Sequence, residues 1–177
     1  MAAEHSRTGW AGRLFSFPNP VNETSARVVA GGVVVLCAAA IVSGEAWLVA
    51  LIAYGFVARV LTGPTLSPLG QLATRVVTPR LRVAAKYVAG PPKRFAQAIG
   101  ATLSVAAAVL ALGLGDQTAA DVLLALVIVA ATLESVFAFC LGCKIFAALM
   151  RAGLIPAEVC ERCNDISSAS PPPDGHV

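Results

Sequence analysis

Charge is what this sequence has least of. Only 13% of its 177 residues are Asp, Glu, Lys or Arg, about half the roughly 25% of an ordinary soluble domain. The shortage is concentrated. No charged residue occurs from Val28 to Gly44, from Ala46 to Ala58, or from Phe95 to Gly115, and Glu134 is the single charge between Val122 and Cys143. Uncharged apolar runs approaching 20 residues exclude an ordinary soluble globule and point to an integral membrane protein. A cleavable leader is also missing from the start. Residues 1–20 form a polar, Pro-containing arm with no apolar stretch behind a basic beginning, so the first span is expected to stay in the protein. Internal repeats, hydrolase motifs and nucleotide-binding motifs do not stand out. The end, "SSASPPPDGHV" at 167–177, lacks the apolar content to bury anything and is expected to be disordered.

What is present reads as an all-α polytopic membrane protein: a four-helix membrane domain over 21–155, then a Cys-containing segment over 156–166. The first span is expected from about Thr24 to Gly44, with Asn22 or Thr24 as N-cap and Glu23 near the positive helix end. The second runs from about Glu45 to Leu61. The third begins after "AGPPK" and ends at "GLGD". The fourth starts near Ala119 and continues to about Met150, with Gly153 as its stop. Arg59, Arg75, Arg80, Arg82, Lys86, Lys93 and Arg94 crowd the link between the second and third spans, with no acid among them. The opposite turns hold only Glu45, or Asp116 and Asp121. The positive-inside rule then places both termini and the basic link in the cytoplasm. Within that link, "SPLGQLATRVV" suggests a short helix on the inner membrane surface. Ser67 caps it, Pro68 opens it, Leu69, Leu72 and Val76 share a face, and Pro79 ends it. Attraction to lipid headgroups accounts for the basic charge without any nucleic acid.

Glu134 is the residue hardest to reconcile with a membrane, since a charge at mid-bilayer costs about 2.5–3.5 kcal/mol on insertion scales. It lies roughly 20 Å beyond Asp121 at helical rise, and Arg59 lies roughly 21 Å beyond Glu45 on a span running the same way. The matched depth predicts that Arg59 and Glu134 pair or share a hydrogen-bonded network. Such a pair either fixes the rotation of two helices or forms a proton or substrate site.

Four of the five cysteines form two C-x-x-C pairs, Cys140/Cys143 and Cys160/Cys163, with sixteen residues between them. Cys140 falls roughly 28 Å past Asp121, at the inner interface, and Lys144 follows as a cation that favours thiolate. Three readings are open. Four thiolates at this spacing match a zinc site, for which the spacing between pairs is about 15–20 residues. Each pair can also cycle between dithiol and disulfide, or carry sulfur as a persulfide. The third reading is plain packing, which is the one assigned to Cys37, a mid-membrane residue with no partner.

Three motifs in order, "FPNPVNE" at 17–23, "GPPKRFAQAIG" at 90–100 and "CLGCK" to "CERC" at 140–163, resemble a bacterial membrane family known as domain of unknown function 4395. The similarity covers nearly all of residues 15–165. It implies four membrane helices in the inner membrane and no established activity. Members often neighbour thioredoxin-like and rhodanese-type sulfurtransferase proteins, which makes such proteins the expected partners. The family pattern carries over to Cys140, Cys143, Cys160 and Cys163, and, without assigned role, to Asn19, Asn22, Glu23, Lys93 and Arg94. The resulting expectation is a membrane-embedded thiol or sulfur relay with a cytoplasm-facing site. The alternatives are a non-enzymatic scaffold with a Cys₄ zinc site and a small transporter of sulfur species built around Glu134. A membrane quinone is an admissible electron acceptor, though no residue in the sequence demands one.

Overall fold

The computed structural model describes residues 19–81 and 86–156. The fold is all-α apart from a two-residue ladder. Strand β1 (Val21–Asn22) pairs antiparallel with β2 (Tyr87–Val88), with Val21 opposite Val88 and Asn22 opposite Tyr87. Helix α1 (Glu23–Ser43) starts where Asn22 turns its side-chain oxygen onto Thr24 N at 2.9 Å and Ser25 N at 3.3 Å, satisfying two amides that have no partner inside the helix. It stops at Gly44, whose φ of 67° is left-handed, a conformation glycine adopts without the Cβ penalty. Helix α2 (Ala46–Thr62) follows after Glu45.

Helix α3 opens at Pro68–Leu72, widens into a π turn over Ala73–Val77 and ends in Thr78–Arg80. Ser67 caps it by accepting from Gly70 N at 3.2 Å. Pro79 is expected to terminate this element, and the helix ends at the next residue, Arg80. Of the expected apolar face, Leu69 is half-buried against Gly32 of α1, while Leu72 and Val76 are exposed.

Helix α4 (Gly90–Ala108) continues as a π segment over Val109–Leu114. It includes the "GPPK" that was expected to precede it, because Pro91 and Pro92 occupy first-turn positions that need no amide. Helix α5 (Gln117–Phe137) is capped by the Asp116 side chain on Ala119 N at 3.0 Å. The chain then breaks, and α6 (Leu141–Arg151) is a separate helix. One continuous fourth helix to Met150 is therefore overturned. Ala138 takes a left-handed conformation at φ 55°, and Phe139 N–H closes the helix end on Leu133 O at 3.0 Å.

Four helices form a ring in which α1 packs on α2 and α5, and α4 packs on α2 and α5, with α6 lying against α4. The core is built largely from small residues: Ala30, Val33, Cys37, Ala40, Ala107, Ala120, Ala131 and their neighbours. Small side chains let helix backbones approach closely where no hydrophobic effect drives association. Large apolar residues such as Val35, Trp47, Val109, Val122, Leu126 and Val129 point outward, as contact with lipid tails requires. Helices α1, α4 with its π extension, and α5 are long and apolar enough to cross a membrane. Helix α2 is apolar but has 17 residues.

A paired thiol at a helix start

The break after α5 creates the site. Arg27 of α1 donates from Nε to Ser135 O at 3.0 Å and from Nη2 to Val136 O at 3.1 Å. It thereby satisfies carbonyls that the ended helix leaves bare. The extended residue that follows, Cys140, is the N-cap of α6. Its sulfur accepts from Cys143 N at 3.4 Å and lies 2.7 Å from the Cys143 sulfur, which donates its S–H to it. Cys140 is buried and Cys143 half-buried. The positive end of an 11-residue helix thus faces the first thiol of the pair, an arrangement that favours thiolate.

Docking of α6 depends on the residue between the two cysteines. A Cβ at Gly142 would stand 2.5 Å from both Cα and Cβ of Ala96 on α4, so only glycine allows this approach. Phe95 and Phe146 add a tilted ring contact at 5.6 Å.

Lys93 and Glu134 lie beside the pair. Lys93 Nζ and Glu134 Oε1 form a salt bridge at 2.5 Å, with side-chain exposures of 9% and 21%. The hydrogen bond from Cys143 holds the Cys140 thiol below its ordinary range, and the Lys93 charge helps, against burial and the Glu134 carboxylate. The same hydrogen bond, together with burial and the Cys140 charge, pushes Cys143 up. The surroundings thus favour thiolate at Cys140 and keep the proton on Cys143.

Several sequence expectations change here. Glu134 pairs with Lys93 rather than directly with Arg59. Arg59 and Glu134 do line one pocket, but α2 and α5 stand diagonally across the ring whereas α4 and α5 are adjacent. Arg59 instead stacks on the Phe56 ring at 4.4 Å. Lys144, expected to support the thiolate, is exposed and lies over Phe139 at 5.7 Å. Lys93 takes that role, and its position at the start of the third span, facing the end of the fourth, was the available signal. Cys160 and Cys163 lie outside the described residues, so the second pair and the Cys₄ site are not described. Among the described residues no group of three or more His, Cys, Asp or Glu side chains is placed to hold a metal ion. Cys37 is buried in the core, as its packing role requires.

The remaining family positions acquire structural roles. Asn19 accepts from Gly90 N at 3.0 Å, Glu23 pairs with Lys86 at 2.9 Å, and Arg94 donates to Val60 O at 3.0 Å. Together with Asn22 they fasten the starts of α1 and α4 and the end of α2 at the level of the thiols. An open cleft of about 370 Å³ lies there, lined by Glu23, Lys93, Phe139, Cys140, Cys143 and Lys144 among others.

Residues 21–151 match the family described as a domain of unknown function, DUF4395. No curated protein and no solved structure matches the chain.

Proposed function

We propose that this chain, which belongs to the DUF4395 family, is a thiol relay of the bacterial inner membrane. In this reading it exchanges disulfide or persulfide equivalents with a cytoplasmic thioredoxin-like or sulfurtransferase protein. The observation that carries the reading is the Cys140–Cys143 contact at the start of α6, open to a cleft and backed by Lys93. A structural cysteine is apolar in its surroundings and inert, whereas a reactive one is cation-flanked and reachable.

In disulfide exchange the Cys140 thiolate attacks one sulfur of a partner disulfide, forming a mixed disulfide and releasing one partner thiolate. Cys143 then loses its proton to that thiolate and attacks Cys140. The partner leaves with two electrons gained, and a Cys140–Cys143 disulfide remains. In sulfur transfer the Cys140 thiolate attacks the outer sulfur of a partner persulfide. Cys140 becomes a persulfide and the partner leaves as a thiolate. Cys160 and Cys163 are the proposed next carriers.

The orientation belongs to the same reading. The basic residues around β2, α3 and the start of α4 put the cleft on the cytoplasmic side. Helix α2 is then the fourth span. At about 26 Å it is shorter than the roughly 30 Å hydrocarbon core, which local thinning of the bilayer accommodates. Exposed Leu72 and Val76 with Arg75 and Arg80 make α3 the interfacial element.

The test is trapping in intact cells. Cys143→Ser leaves the attacking thiol without its resolving partner, so a mixed disulfide or persulfide adduct should accumulate on Cys140 and be lost in Cys140→Ser. If Cys143→Ser traps nothing, and chain purified without chelator holds about one zinc released by mutating either pair, the thiols are metal ligands and the relay is wrong.

A further inference from the structure

Cys140 lines two spaces at once: the open cleft and a pocket of about 120 Å³ between the helices. Lys93 and Glu134 repeat that division, for Lys93 lines the cleft and Glu134 the cavity, joined by their salt bridge. Apolar side chains such as Val29, Phe56, Leu103 and Val127 make up most of the cavity wall. Two buried polar atoms in its lining have no hydrogen-bond partner among the described residues, Arg59 Nε and Gln97 Oε1. Arg59 is 4% exposed, and its guanidinium is held by stacking on Phe56. Native proteins rarely leave such atoms bare, so an occupant is expected. It must accept from Arg59, offer a donor to Gln97 in one of its states, and otherwise be apolar. An engineered cavity of about 150 Å³ takes one bare benzene ring, so a substituted ring fills more than this space and must extend beyond it. Arg59 and Gln97 also line an adjoining space of about 250 Å³, and exposed Leu141 and Ile145 stand at the cavity's edge. A rim of that kind admits a molecule dissolved in lipid.

We infer that this cavity binds the ring of a membrane quinone, which serves as the electron acceptor of the Cys140–Cys143 dithiol. The inference rests on the relay proposed above, with the thiol exchange run in reverse: a partner dithiol reduces the Cys140–Cys143 disulfide, leaving as a disulfide, and the quinone reoxidises the resulting dithiol as the membrane-side terminus. One quinone carbonyl accepts from Arg59 Nε, and the hydroxyl formed on reduction donates to Gln97 Oε1. A bond forms between the Cys140 and Cys143 sulfurs, and the quinone takes up two electrons and two protons. One proton leaves Cys143. The other enters from water in the cleft through Lys93 and Glu134. Dithiol and quinone become disulfide and quinol with no further reactant.

The experiment uses the full chain in nanodiscs, reduced and anaerobic, mixed with ubiquinone-1, whose fully substituted ring resists direct addition of thiols. Disulfide and quinol should form one to one. Gln97→Leu and Arg59→Lys should each slow the reaction at least tenfold while leaving the rate of Cys140 alkylation by iodoacetamide within about twofold. Gln97→Leu keeps the test open if the arginine variant does not fold. Wild-type oxidation that both variants match would locate the reaction in the cleft and overturn the cavity assignment. A dithiol that ubiquinone-1 leaves reduced overturns it as well. If Cys143→Ser still traps a protein partner in that case, the relay stands, and the orphan atoms of the cavity are served by water.

Discussion

At the residue scale the two thiols are unequal. A thiol held below its ordinary range is ionised above its lowered pKa and loses nucleophilicity as pH falls through it. Cys140 should therefore alkylate at least tenfold faster than Cys143 at pH 7, with a midpoint below the roughly 8.5 of free cysteine. Two neighbours act on Cys140 with opposite sign. Lys93→Met removes the favourable charge and leaves Glu134 unpaired, so the midpoint should rise. Glu134→Gln removes the unfavourable charge and should lower it. Either change also breaks a largely buried ion pair, at a cost of about 3 kcal/mol or less given the partial exposure of Glu134. Alkylation rate against pH, with mass-spectrometric assignment of the modified cysteine, checks both directions. Midpoints that moved the same way in the two variants would mean that charge does not set the reactivity.

At the scale of elements the decisive feature is the gap between α5 and α6. A left-handed alanine costs about 1–2 kcal/mol, and the two hydrogen bonds from Arg27 and the capping sulfur of Cys140 offset it. Arg27→Ala should therefore destabilise the fold by about 1–3 kcal/mol and loosen the thiol pair, measured as a fall in thermal midpoint together with slower Cys140 alkylation. Gly142→Ala forces a methyl group onto the α4 backbone at Ala96 and should cost about 1–3 kcal/mol. Gly55→Ala is the contrast within α2. Its new Cβ meets nothing within 4 Å, so it should be neutral or stabilising by up to about 1 kcal/mol. Equal effects at both glycines would argue against close docking of α6 on α4.

At the scale of the whole molecule, the ends of the helices sort by charge. The start of α1, the end of α2, all of α3, the start of α4 and the end of α5 meet at one end, with Arg75, Arg80, Lys86, Lys93 and Arg94. Glu45, Asp116 and Asp121 stand at the starts of α2 and α5, at the other end. The proposed orientation predicts that a membrane-impermeant maleimide labels Cys140 in inside-out vesicles but not in intact spheroplasts. Labelling from outside would invert the topology and put cytoplasmic partners out of reach.

The sequence by itself determined the solvent and the spans. Long uncharged runs favour lipid, and caps such as Asn22, Gly44 and Ser67 act on their own neighbours, so most helix starts and stops were legible within a few residues, the end of the fourth helix excepted. The Cys140/Cys143 pair was legible too, because its spacing is a local property. Tertiary structure alone decided which helix faces which. Depth along a span follows from counting residues, but rotation and neighbourhood in the ring follow from close packing of small side chains. Packing thus gave Glu134 to Lys93 and left Arg59 with Gln97 around a cavity. It also broke "ESVFAFCLGCK", which reads as one continuous helix, where distant Arg27 and the Gly142–Ala96 contact made the interruption favourable.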